Sequence, residues 1–171
     1  MTEPDPSCAV AHGEAEEETE TRTLVAVFAT FVAQFLLTYG RDLGYRTVLY
    51  EPHQGRADSI EVPGATVVRE LPELDGTADV VVTNHHRPEL GEVLRDVLGY
   101  PVRWVGVMGN PHHPGPHIEA LKQLGVPGDE IDRVHRPIGL NIGSRTPPEI
   151  ALATLAGLLA DRNGRPGGFE F

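Results

Sequence analysis

Cysteine is almost missing from this chain: Cys8 stands alone. No internal disulfide can form, and a cysteine-based metal site is not expected. Lysine is equally scarce, Lys122 being the single one beside the arginines; the skew reads as genomic base composition rather than function. Basic charge as a whole is short, with 14 Lys and Arg against 25 Asp and Glu and a net charge of −11. Phosphate backbones require a basic face, so nucleic acid is excluded as an expected partner. Long uninterrupted apolar runs are missing too. The stretch LVAVFATFVAQFLL at 24–37 is broken by Thr30 and Gln34 and is too short to span a bilayer. Its flank is acidic, the wrong sign for a signal peptide. These absences predict a cytoplasmic chain without a membrane anchor.

What is present suits one globular domain. A chain of 171 residues, 40% hydrophobic and 23% charged, can bury a real core. Charge is placed unevenly. Residues 1–21 hold seven acids (Glu3, Asp5, Glu14, Glu16, Glu17, Glu18, Glu20) and no Lys or Arg, which leaves about −4 for the rest. Such a segment has too little apolar surface to offset its ordering entropy. The expectation is a disordered acidic leader over 1–21, an ordered domain over 22–163 and a flexible tail over 164–171.

Strand and helix patterns alternate through the ordered part. RTLVAVF (22–28) is apolar enough for a central parallel strand buried on both faces. A helix follows, with Val32, Phe35, Leu36, Tyr39 and Leu43 on one stripe and Gly44 ending it. YRTVLY (45–50), ATVVRE (65–70), ADVVVTN (78–84) and VRWVGVMG (102–109) read as further strands. PELGEVLRDVLG (88–99) and GPHIEALKQLG (115–125) read as helices. Thr146-Pro147-Pro148-Glu149 is a capping box, so EIALATLAGLLADR starts the last helix cleanly and ends before Asn163-Gly164. Repeated β-then-α order predicts an α/β fold: a three-layer, Rossmann-like, doubly wound parallel sheet. Ligands in such folds sit beyond the carboxyl ends of the strands, so the loops after Phe28, Glu51, Thr83 and Gly109 carry interest.

Glycine is missing where a dinucleotide site needs it most. The first turn reads Phe28-Ala29-Thr30-Phe31-Val32-Ala33. A Rossmann fingerprint uses two glycines for the tight turn and the approach of pyrophosphate, and a third small residue for helix packing. Ala33 suits the third place, but Phe28 and Thr30 occupy the first two. Glu51, 23 residues after Phe28, is spaced for a ribose diol, although an acid after a strand is commonplace. The reading is a retained fold with an impaired dinucleotide site, so NAD and FAD are not expected.

Two later stretches draw attention. NPHHPGPH (110–117) gathers His112, His113 and His117, with His85 and His86 on a neighbouring strand end. Imidazoles bind metals, yet no carboxylate or cysteine completes a ligand set, so a solvated loop without tight metal is the expectation. VHRPIGLNIGSRTPPEIA (134–151) places Gly139 and Gly143 four apart and Arg145 beside a helix start. Spacing alone allows either an anion site at the helix N-terminus or an ordinary left-handed turn and cap.

HRPIGLNIGSRTPPEIA resembles the closing signature of the XdhC/CoxI family, accessory proteins of xanthine dehydrogenase and related molybdenum hydroxylases. GYRTVLYEP, DVVVTNHHRPEL, WVGVMGN and HIEALKQLGV agree in order. The resemblance covers about residues 22 to 162 and corresponds to the family's C-terminal Rossmann domain. It implies binding of molybdenum cofactor (molybdopterin), help with its sulfuration by a cysteine desulfurase, and delivery to a xanthine dehydrogenase or CO dehydrogenase-type apoenzyme. Departures are visible. Typical Gly-Ala-Gly-His is here Phe28-Ala29-Thr30-Phe31, typical Gly-Ser-Arg is Gly109-Asn110-Pro111, and Thr-His-Asp is Thr83-Asn84-His85. Full-length members also carry an N-terminal domain that the 21-residue leader cannot replace.

The residues and the resemblance together put the candidate cofactor contacts at Ala33, Glu51, Thr83, Asn84, His85, Gly106, Gly109, Asn110, Gly139, Leu140, Asn141, Gly143 and Arg145. No nucleophile–base pair is evident and Ser144 lacks a nucleophile-elbow context, so a binding or delivery factor is expected before a catalyst. Association with a second copy stays open. The competing expectations are an NAD(P)-dependent oxidoreductase with a degenerate turn, and a protein-binding relic that holds no ligand.

Overall fold

The computed structural model describes residues 10–13 and 20–169, so the acidic leader lies largely outside the described residues. Six parallel strands form one sheet in the order β3-β2-β1-β4-β5-β6. They are β1 (Arg22–Val27), β2 (Tyr45–Tyr50), β3 (Thr66–Val68), β4 (Ala78–Val82), β5 (Trp104–Val107) and β6 (Val134–His135). The helices are α1 (Phe31–Asp42), α2 (Gln54–Ala57), α3 (Leu90–Leu98), α4 (Pro116–Gln123), α5 (Gly128–Ile131) and α6 (Pro147–Arg162). This is the doubly wound α/β order, which reverses direction between β1 and β4 and opens a crevice at their carboxyl ends.

Alternation along the strands sorts the core into two layers. Val25, Val27, Val80, Val82, Val105 and Val107 face α3, α4 and α5, meeting Val93, Leu94, Val97, Leu121 and Ile131. Leu24, Ala26, Leu49, Val81 and Trp104 face α1 and α6, meeting Leu36, Leu37, Leu155 and Leu158. Each such side chain contributes about 1.5–3 kcal/mol by leaving water. Both edge strands are short, which limits their unpaired backbone.

The register of α1 differs from the expected stripe. Its buried face is Ala33, Leu36, Leu37 and Gly40, while Leu43 is exposed. Small residues decide this. A Cβ at Gly40 would fall 2.4 Å from Leu24 Cδ2, so the helix axis rides close to β1 there. The expected strand reach was also long at several ends: β5 starts at Trp104 and β3 spans only Thr66–Val68.

The amino end of the sheet is clamped by a buried charge that sequence reading did not find. Asp79, fully buried, accepts from Arg103 Nε, from Arg162 Nη2 at 2.9 Å and from Tyr45 Oη at 3.3 Å. Arg162 is the last residue of α6, so this carboxylate ties the helix's far end to β4. The near end of α6 is thereby held in place over the crevice.

Candidate functional site

The crevice has a volume of about 790 Å³, within the roughly 300–1,000 Å³ usual for small-molecule sites. One wall is the turn Ile138–Ser144 with the first turns of α6, and the opposite wall carries Val32, Thr83 and His85. Met108, Gly109 and Asn110, just past β5, form part of its lining. Apolar surface from Met108, Ile138 and Ile142 therefore meets polar groups from Asn110, Asn141 and Ser144. Among the described residues, no lysine or arginine borders it.

The turn is built by close backbone packing. Gly139 has φ +83°, and a Cβ there would sit 3.1 Å from the Ala153 and Thr154 backbone. A Cβ on Gly157 of α6 would in turn meet Gly139 Cα at 3.0 Å. Leu140 N–H donates to the Ala153 carbonyl at 3.0 Å. Gly143, at φ +70°, has nothing near its missing side chain and faces open space. Gly139 thus serves the contact between turn and helix, whereas Gly143 serves the left-handed bend of the wall.

The first turn is closed by its own side chains. Phe28 takes φ +73°, the one non-glycine residue among those described with a left-handed backbone. Alternation would put its side chain on the α1 and α6 face; instead it joins the core with Val27 and Val82 and is fully buried. The ring lies under Arg87, whose guanidinium carbon is 4.4 Å from its centroid. Phe28 stands in the first glycine place, yet its ring does not block the phosphate path: it points into the core, away from the crevice. Thr30 is the N-cap of α1, accepting from Ala33 N–H at 3.0 Å and donating to Thr83 Oγ1 at 2.9 Å. A hydroxyl fills the place where a phosphate oxygen would cap the helix.

Glu51 is spoken for as well. Its carboxylate is fully buried and accepts from Arg87 Nη1 at 3.0 Å, Arg87 Nη2 at 2.9 Å, Ala29 N–H at 2.9 Å and His53 N–H at 3.0 Å. Burial pushes its pKa up, but the bonds from Arg87, Ala29 and His53 outweigh that and hold it below the usual carboxylate range. A carboxylate so engaged has no lone pair turned to a ribose. Its expected role as a cofactor contact is corrected to that of a structural anion. Arg87, the partner that sequence reading missed, follows His85-His86 in the chain with no local signal for its distant carboxylate.

The structure brings Thr83, His85, Gly109, Asn110, Gly139, Leu140, Asn141 and Gly143 to the crevice. It leaves Ala33, Asn84, Gly106 and Arg145 off its lining, beside Glu51. Ala33 is core beneath α1. Asn84 Oδ1 accepts from His86 N–H at 2.9 Å, closing a local turn. Gly106 makes room inside the sheet, since a Cβ would fall 2.3 Å from the Trp104 ring. Arg145 is exposed, and the anion place beside it holds Glu149, which accepts from Arg145 N–H at 2.8 Å and Thr146 N–H at 3.1 Å. Those two backbone bonds hold the Glu149 carboxyl below its usual range.

The histidines divide between two places. His85 and His112 border the crevice, and burial, then His86 and Arg136, depress the His85 imidazolium. His117 is not in a solvated loop; it sits in α4 and is 3% exposed. Among the described residues, no three His, Cys, Asp or Glu side chains form a metal-holding group. No helix among them is long and apolar enough to cross a membrane.

Comparison with known proteins agrees with this architecture. The chain resembles a solved xanthine dehydrogenase from Bacillus halodurans at a TM-score of 0.69 and 21% identity, over 89% of this chain and 46% of that one. It is 36% identical over 77 residues to the uncharacterized protein YqeB of Escherichia coli strain K12, over 45% of this chain and 14% of that protein. It therefore spans less than half the length of either relative. A family model, the XdhC Rossmann domain, matches residues 24–158. With the sheet order and the Ile138–Ser144 wall, that match settles the family: the chain belongs to the XdhC Rossmann-domain family.

Proposed function

We propose that this domain binds the molybdenum cofactor in the crevice and assists its sulfuration or insertion into a cytoplasmic hydroxylase of the xanthine dehydrogenase or CO dehydrogenase type. The observation that carries the reading is a contrast within one sheet edge. The nucleotide fixtures, Glu51 and the α1 start, are consumed by the protein's own groups, while the wall Ile138–Ser144 beside them is open and walls a ligand-sized crevice.

The residues present fit a flat, amide-rich pterin ring. Asn141, Ser144 and Asn110 offer donors and acceptors for its edge, and Met108, Ile138 and Ile142 offer apolar surface for its faces. When bound, the cofactor supplies the molybdenum centre and its sulfur chemistry. The chain's own residues bind, orient and shield it from water. Among the described residues no serine or cysteine is hydrogen-bonded to a histidine, which favours a carrier over a catalyst. A cysteine desulfurase and the apo-hydroxylase are the partners this role requires. An NAD(P)-dependent oxidoreductase is disfavoured by the buried Glu51–Arg87 pair.

The test is capture of the tagged protein from its native cytosol at low salt, with pterin and molybdenum analysis of the eluate. The expected result is a hydroxylase or desulfurase with substoichiometric pterin. Capture of neither partner, with no pterin in the eluate, would contradict the role.

A further inference from the structure

A second cavity, of about 260 Å³, lies on the other side of Pro111 and Pro137 from the crevice. Arg136 and His117 give it a polar lining, with His113 and the exposed Asp132 also on its border. Its volume is several times the roughly 30 Å³ that one water occupies in the liquid. There is room for an oxyanion on a short organic stem.

Two buried polar atoms here, His117 Nδ1 and Arg136 Nη1, are left without partners. His117 is 3% exposed, and its Nδ1 is buried with no hydrogen bond. Gly115 permits this placement, since a Cβ there would lie 2.5 Å from the ring's Cε1. Arg136 packs its guanidinium against Gly109, where a Cβ would fall 2.5 Å from Nη2. Nη2 donates to the Asn110 carbonyl at 3.0 Å, and Nη1 is buried without a partner. Arg87, Arg103, Arg133 and Arg162 each pair with a carboxylate, whereas Arg136, like Arg22 at the start of β1, pairs with none among the described residues. Asp132 borders the same cavity without an ion pair to it.

A guanidinium cannot shed its proton, so a half-buried one whose Nη1 is shut off from water without a partner is better satisfied when an anion arrives from outside. Burial, then Arg136, lower the His117 pKa and so favour the neutral ring, whose Nδ1–H tautomer would offer the cavity a donor. The cavity also adjoins the start of α4, whose N-cap Gly115 has no capping side chain and whose dipole favours negative charge. We infer that this cavity is a binding site for a small oxyanion, a phosphate or carboxylate head group, held by Arg136 and His117. The site stands apart from the crevice and does not depend on the role proposed for it.

The experiment follows the imidazole signals of His117, assigned with His117→Asn, while inorganic phosphate or acetate is added at constant ionic strength. One of the two ions is expected to saturate the signal with a dissociation constant of about 1 mM or tighter. The tighter ion identifies the head group. Arg136→Gln is expected to weaken it at least roughly tenfold, and Arg136→Lys, which keeps the charge but loses the fork, by less. Arg145→Gln, on an exposed arginine, is expected to leave it unchanged. The proposal is overturned if neither ion saturates the signal, or if a folded Arg136 variant of either kind responds as the native protein does.

Discussion

Glu51 and Arg87 form a two-point ion pair at 2.9 and 3.0 Å, with the Phe28 ring beneath the guanidinium. Side-chain exposure is 0% for Glu51 and 7% for Arg87, so neither charge has water to fall back on. Removing one partner strands the other, and Arg87→Ala is expected to cost about 3–5 kcal/mol. The double variant Glu51→Gln with Arg87→Met is expected to recover part of that loss. Urea midpoints of the native protein and the two variants check both statements.

The same pair sets an acid limit. The folded pKa of Glu51 lies below its unfolded value, so its stabilisation is complete above about pH 4.3 and is lost as pH falls through the folded value. Thermal unfolding between pH 7 and pH 3 is expected to show this decline. Glu51→Gln is expected to start less stable and to decline less steeply over the acid range.

The first turn does not become a nucleotide site by simple editing. Phe28→Gly relieves a left-handed backbone worth about 1–3 kcal/mol but removes a core ring worth about 3–5 kcal/mol. Net destabilisation is expected, with no gain in NAD affinity because Glu51 stays paired. Thr30→Ala is expected to cost about 1 kcal/mol as a lost N-cap. Calorimetric titration of both variants with NAD and FAD is expected to show binding no tighter than about millimolar.

Gly139 and Gly143 separate packing from ligand contact. Gly139→Ala drives a methyl into the α6 backbone and is expected to lower the unfolding midpoint clearly. A Cβ at Gly143 meets no atoms within 4 Å, so the expected cost of Gly143→Val is chiefly the left-handed strain, about 1–2 kcal/mol. The fold should persist while the crevice wall shifts, and ligand binding should fall.

The order of strands and helices was legible because buried parallel strands are continuous apolar runs, as in Leu24–Val27 and Val80–Val82. Thr146 and Glu149 marked the start of α6 through local chemistry. The short elements α2, α5 and β6 carry too few residues for a period to emerge. The register of α1 was obscured because Gly40, which has no side chain to mark a face, makes the close approach to Leu24, so the buried face runs through Ala33, Leu36, Leu37 and Gly40. Spacing drew attention to Glu51 as a ribose contact, but its engagement by Arg87 is a contact across 36 residues that no local pattern announces. Gly106 was placed at the ligand for want of any sign that Trp104 fills its space.

In the proposed role, the Ile138–Ser144 wall, and not the β1–α1 turn, holds the ligand, a molybdenum pterin. Anaerobic equilibrium binding of molybdenum cofactor, beside NADH, to the native chain and to Gly143→Val tests it directly. The expected result is micromolar pterin binding by the native chain, at least roughly tenfold weaker binding by folded Gly143→Val, and no NADH binding tighter than about millimolar. Micromolar NADH binding with no pterin binding would contradict it.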